Sequence, residues 1–262
     1  MLQDLWRHRR YIIVNALQDL RSRHTGTTLG WLWIMLPSAA LIAVYGVVFS
    51  QVMPVPKLRT GSGELPFALY LAAGLVLWVG FTESLSRGTQ SLLESAPYLK
   101  KLPIAESVFV AKSVTGGFFV LVLGLVLVCI VTVAIGIPAS LSWLLLLPVA
   151  ALLCVMTFGI SCVLGALNVF FRDVSQGLGI VLQIWMWLVP VVYTESIVPE
   201  WVRAGFLANP VYPFLVATRD ILFSGAVPGL GLWFGMVAWA LAFTLIGVAV
   251  LSAVRIDLRD AL

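Results

Sequence analysis

The sequence predicts an all-α integral membrane protein with six transmembrane helices, an N-terminal amphipathic helix in the interface, and outer re-entrant gate helices between spans five and six. Three observations lead there. Between Ser113 and Phe171 the chain runs 59 residues without one Asp, Glu, Lys, Arg or His, broken only by Gly136-Ile-Pro138-Ala-Ser-Leu-Ser142. That run is over twice the roughly 20 residues that cross a bilayer core, so it reads as a helical hairpin inside the membrane. Hydrophobic residues make up 61% of the chain and charged ones 11%, and mean hydropathy is +1.03, a balance that no water-soluble domain of this length keeps in solution. The sixteen Lys and Arg, finally, are shared unevenly between the two sides of the layout they imply.

Residues 2–24 come first. At 100° per residue Leu2, Leu5, Trp6, Ile12, Ile13, Ala16, Leu17 and Leu20 gather on one arc and Arg7, Arg10, Asn15, Gln18 and Arg21 on the other, with Arg9 intruding on the apolar side. Such a helix lies flat on the cytoplasmic membrane face; a plain basic tail is the alternative. A cleaved signal peptide is not expected. The chain stays charged through His24, and the next apolar run far exceeds an h-region of about 7–15 residues.

Uncharged windows then give six spans within one membrane domain, 1–262: residues 30–53, 65–82, 110–136, 142–171, 174–194 and 228–254. Between spans two and three, the 83–106 loop holds Pro97-Tyr98-Leu99-Lys100-Lys101-Leu102-Pro103. Two prolines bracketing a basic and apolar stretch delimit a small helix or turn outside the bilayer, suited to a cytoplasmic partner or serving only as a connector. The 195–227 segment contains Pro199, Trp201-Val202, Phe206-Leu207 and Asn209-Pro210. It is too broken to cross and too apolar to hang in water, so two re-entrant or interfacial helices parted at Asn209-Pro210 are expected, as a gate or as a cap on the bundle. In this layout the N-terminus, the 83–112 region, Arg172 and the C-terminus carry twelve Lys and Arg, and the opposite side carries four. Both termini are therefore expected in the cytoplasm.

The chemistry the chain lacks narrows its function. Its net charge of +4 sits in clusters beside apolar runs, where it orients the chain, and does not point to nucleic acid. Cys129, Cys154 and Cys162 all fall in the uncharged hairpin and read as small packing residues. No Gly-x-x-x-x-Gly-Lys-Ser/Thr, His-Glu-x-x-His or Cys-x-x-Cys occurs, and both histidines, His8 and His24, lie in the N-terminal tail. Catalysis or proton-driven transport in a membrane calls for ionisable residues at depth, and only Glu83, at a span end, comes near. No catalytic residue, metal or cofactor is expected in this chain; its energy source lies outside it.

Aromatics supply a positive signal. Trp31, Trp33, Trp143 and Trp233 fit interfacial belts, whereas Tyr45, Phe49, Trp78, Phe81, Trp185, Trp187 and Tyr193 fall mostly inside spans one, two and five. Aromatic faces stack on sugar rings without a fixed register, which suits a conduit for a glycan; lipid-facing or core roles are the alternative for each residue.

Leu29-Gly30-Trp31-Leu32-Trp33 after the basic helix, Gly165-Ala-Leu167-Asn168-Val-Phe170-Phe171-Arg172-Asp173, Pro190-Val-Val-Tyr193, Asn209-Pro210 and Arg219-Asp220 follow in an order that resembles the type-2 ABC exporter permeases. The likeness is greatest to permeases for O-antigen and related lipid-linked polysaccharides, with teichoic acid exporters close behind. The resemblance implies a homodimer joined to two ATP-binding subunits that hold the ATP and Mg. It implies an undecaprenyl-diphosphate-linked polysaccharide moving through a channel between two copies, in the bacterial cytoplasmic (inner) membrane. It also implies ATPase coupling through Arg87, Tyr98, Lys100, Lys101, Arg172 and Asp173, an outer gate at Pro199, Trp201, Asn209, Pro210, Arg219 and Asp220, and the span-one and span-five aromatics along the path. Rival readings are a type-2 permease for a drug, lipid, teichoic acid or capsular polymer, a membrane enzyme acting on polyprenyl-phosphate lipids through Glu195, Glu200, Arg203, Arg219 and Asp220, and a structural subunit.

Overall fold

The computed structural model describes residues 2–22, 32–48, 58–60, 63–101 and 104–261. Helices α1 (Leu2–Arg7), α2 (Arg9–Ser22) and α3 (Leu32–Val47) come first, followed by a two-stranded antiparallel ribbon, β1 (Leu58–Thr60) and β2 (Gly63–Leu65). Then come α4 (Phe67–Glu94), α5 (Ala96–Leu99), α6 (Glu106–Ala134), α7 (Leu146–Phe170), α8 (Val174–Trp187), α9 (Glu200–Phe206), α10 (Tyr212–Arg219), α11 (Leu230–Ala253) and α12 (Arg255–Ala261). Among the described residues four helical stretches are long and apolar enough to cross a membrane: Phe67–Glu94, Glu106–Ala134, Leu141–Phe170 and Leu230–Ala253.

The uncharged hairpin becomes α6 and α7. Gly136, at φ +98°, takes the left-handed conformation that side chains resist, and Pro138 follows it. The chain re-enters through a 3-10 turn over Leu141–Leu145, where the Ser140 hydroxyl accepts a hydrogen bond from the Ser142 amide at 3.3 Å.

Two expected boundaries move. The polar residues from Thr82 onward do not end a helix: α4 runs through Glu83 and Arg87 to Glu94 and stops just ahead of Pro97. Polarity marks a change of surroundings, whereas a proline removes a donor and restricts the residue before it. Much of the expected 83–106 loop is thus helix. The expected span 174–194 stops at Trp187, three residues before Pro190, leaving α8 about 21 Å long. Of the expected span 30–53 only α3 is described, a helix of 16 residues with Pro37 inside it; Leu29, Gly30, Trp31 and Phe49 lie outside the described residues.

Small residues bring the long helices together, as they do where lipid offers no hydrophobic incentive for helices to associate. Gly80 receives Leu121, Gly117 receives Ser84 and Gly88 receives Ser161, which set α4 against α6 and α7. At the α7–α11 crossing a Cβ on Gly159 would strike the backbone of Phe243 and Thr244, and one on Gly247 the carbonyl of Gly159. Thr244 adds a hydrogen bond to the Val155 carbonyl across that crossing, at 3.1 Å. Buried Ser84, Thr89, Thr132 and Thr157 satisfy their hydroxyls on carbonyls one turn back in their own helices.

The N-terminal helix carries two apolar rows where one arc was expected. Ile12, Ala16 and Leu20 are buried, Ile12 packing with Ala105 and Val108 at the start of α6. Trp6, Ile13 and Leu17 stay exposed on the adjoining face, flanked by Arg9, Arg10 and Arg21. Arg9 does reach the apolar side, over Trp6. Its guanidinium lies 4.7 Å from the centre of the Trp6 ring, so the charge and the ring form one amphipathic unit.

Candidate functional site

Three regions gather the residues to which the sequence assigns chemistry. The first is the junction of α8, α9 and α10. Asn209 turns the chain between α9 and α10: its Oδ1 accepts from the Val211 amide at 3.1 Å and from Trp185 Nε1 at 3.3 Å. This local turn is the chemistry that Asn-Pro sequences favour. It leaves a cavity of about 450 Å³ lined by Trp185, Trp187, Tyr193, Phe206, Asn209 and Pro210 among others. Trp187 is 60% exposed, and the Tyr193 hydroxyl donates to its carbonyl at 2.9 Å. Such a cavity offers flat apolar faces beside a few polar groups, the surface a sugar ring can use.

Not all of the expected path aromatics reach it. Trp78 and Phe81, 5% and 1% exposed, each meet Trp185 edge-on and tilt against one another, with centroids 5.5–6.1 Å apart. In the single chain both are core side chains of α4 with almost no exposed surface. Tyr45 is half-buried against the main core, and Phe49 lies outside the described residues.

Arg219 stands beside this junction and is 6% exposed. It donates to the carbonyls of Pro190 and Val191, each at 2.8 Å, and to the Tyr70 hydroxyl at 2.9 Å. Its guanidinium carbon lies 3.7 Å from the centre of the Tyr70 ring. Pro190 ends the helical path of α8, so its carbonyl and that of Val191 need donors, and Arg219 supplies them from α10. Burial lowers the Arg219 pKa to about 10, against the pull of Tyr70, Glu195 and Tyr212, and the residue is still charged at neutral pH. Glu195 instead accepts from the Tyr212 hydroxyl at 3.0 Å; burial, then Glu195, raises the pKa of that tyrosine. Burial, then Glu195, also raises Asp220, which opens one π-helical turn, Asp220–Ser224. Pro199 caps α9, and Trp201 on it is strongly exposed.

Of the polar set considered for a membrane enzyme, Glu195, Arg219 and Asp220 lie within electrostatic reach of one another. Arg203 donates to the Val198 carbonyl and Glu200 is exposed at the start of α9, while Arg219 faces carbonyls. Among the described residues no three His, Cys, Asp or Glu side chains are grouped to hold a metal.

The second region is the end of α4. Arg87, expected to meet a partner, lies mostly buried, 2.6 Å from Glu83 and 4.0 Å from Asp19 of α2, so it fastens α2 to α4. Tyr98, Lys100 and Lys101 are exposed, while Leu99 is buried. The third is the turn between α7 and α8, where Arg172 and Asp173 are exposed. Asn168, four residues before Arg172, is buried, and its side chain makes two bonds: Nδ2 donates to the Thr89 carbonyl at 3.3 Å, and Oδ1 accepts from the Ser175 amide at 3.1 Å. It fixes the start of α8 to α4. The sequence block named this residue without revealing its task.

Among relatives, the chain is 26% identical over 224 residues to the O-antigen export system permease protein RfbA of Klebsiella pneumoniae, covering 82% of this chain and 81% of that one. It is 27% identical over 235 residues to the protein of the same name from Myxococcus xanthus, covering 87% and 86%. Residues 10–223, from α2 through α10 to the π-helical turn, match the family model described as ABC-2 type transporter. Several apolar helices and this match over most of the length agree: the chain is a membrane transport subunit and belongs to the ABC-2 type transporter family.

Proposed function

We propose that this chain is the permease subunit of an ATP-driven exporter that moves an undecaprenyl-diphosphate-linked, O-antigen type polysaccharide from the cytoplasm across the bacterial inner membrane. The observation that carries the reading is the collinear similarity, over more than four-fifths of both chains, to permeases named for O-antigen export.

Two copies form the channel and two ATP-binding subunits, holding ATP and Mg, drive it. The structure supports this division of labour. The exposed sides of α3 and α8 carry Leu32, Leu36 and Val44, and Ile180, Ile184 and Trp187; with their flanking residues these helices supply spans one and five and face the second copy. Trp187 and Tyr193 then stand along the path. The α9–α10 segment closes its outer end, and the exposed row Trp6, Ile13 and Leu17 with its arginines rests on the cytoplasmic lipid surface. Both termini are cytoplasmic. On that side Tyr98, Lys100, Lys101, Arg172 and Asp173 meet the ATPase.

Deletion of the chain in its host tests the reading. Surface polymer is expected to disappear while lipid-linked polymer accumulates inside the cell, and the purified chain brings an ATP-binding subunit with it. Unchanged surface polymer together with purification alone would overturn the proposal.

A further inference from the structure

Glu106, the first residue of α6, is fully buried. Its Oε1 accepts from Arg259 Nε at 2.6 Å, and its Oε2 lies 3.0 Å from Arg255 Nε. Arg259 Nη2 also donates to the Ile104 carbonyl at 3.4 Å. Both arginines belong to α12, which follows α11 after a single non-helical residue, Val254. Leu258, between them in sequence, is buried with Leu92 of α4, Leu99 of α5 and Phe109 of α6.

A connection between two spans needs no buried carboxylate. Taking a carboxylate out of water is unfavourable unless it is paired and hydrogen-bonded, and here both arginines arrive from the far end of the chain. The result joins three things that the sequence separates: the short helix α5, the beginning of α6 and the end of α11. On α5 and its exit, Tyr98, Lys100 and Lys101 remain exposed.

We propose that Glu106, Arg255 and Arg259 are positioning residues that make α5, the start of α6 and α11–α12 one lever, so that a displacement delivered to α5 by the ATPase reaches α6 and α11 together. This rests on the function proposed above. The triad touches neither substrate nor nucleotide; it acts through the helices it joins.

The experiment uses the full permease–ATPase complex in vesicles and measures ATP hydrolysis and polymer export side by side. With Glu106→Gln, assembly and ATP hydrolysis persist, and polymer exported per ATP falls roughly tenfold, within the usual span of coupling effects. Arg259→Gln, at a half-exposed position that need not disturb folding, gives the same fall, while Arg259→Lys keeps the charge and restores most of the yield. Export per ATP that is unchanged in Arg259→Gln, or equally low in Arg259→Lys and Arg259→Gln, would overturn the lever. If the unaltered chain binds no ATPase, the proposed function itself fails; if it does and the Arg259 variants export normally, only the lever fails.

Discussion

Opposite ends of α4, a helix of 28 residues and so about 42 Å long, are fastened by buried charges in two different ways. Near Tyr70, Arg219 is held by backbone carbonyls and a phenol and makes no ion pair among the described residues. Near Leu92, the buried carboxylate of Glu106 is held by two arginines whose side chains are 49% and 38% exposed. Two of the partners of Arg219 cannot leave, because they are main-chain carbonyls. Those of Glu106 can return to water. The first end is a fixed joint, and the second is a fastening whose strength depends on charge.

The largest effect expected is at the fixed joint. Arg219→Met leaves the Pro190 and Val191 carbonyls buried without donors and is expected to destabilise the protein by on the order of 4 kcal/mol, read as early thermal unfolding of the purified protein. A loss below about 1 kcal/mol would show that water or a neighbour replaces the arginine. Glu106→Gln is expected to cost less, about 2 kcal/mol, because both arginines can be resolvated. Equal losses at the two sites would erase the contrast drawn here. Tyr70→Phe removes one hydrogen bond and keeps the ring under the guanidinium, so about 1 kcal/mol is expected; a loss as large as that of Arg219→Met would make the phenol the principal partner. Tyr98→Ala, on an exposed side chain, is expected to leave stability within about 0.5 kcal/mol while reducing polymer-dependent ATP hydrolysis. Normal hydrolysis would remove Tyr98 from the contact.

The sequence was most legible where a single physical rule governs an element. Absence of charge marked α6 and α7, the glycine and proline at 136 and 138 marked their turn, and Asn209-Pro210 marked the break between α9 and α10. It misled where two rules compete. Thr82 to Arg87 is polar yet helical, because polarity reports surroundings and proline reports interruption. Pro190 could have ended α8 on the page, but the lack of charge through Thr194 argued the other way. Trp78, Phe81 and Trp187 look alike as letters, and only their packing divides core from cavity wall. Glu106 and its arginines lie about 150 residues apart, and no local pattern announces such a meeting. The same holds for Arg219 and Tyr70.

At the crossing of Gly159 with Gly247, α7 and α11 touch through their main chains, and the Thr244 hydroxyl bridges them by donating to the Val155 carbonyl. Moving α11 lengthwise by a residue would bring a Cβ to the point of contact, where the backbone of Phe243 or Gly159 already stands. The register of α11 on α7 is therefore set by two positions that carry no side chain, and a methyl group at either would hold the helices apart.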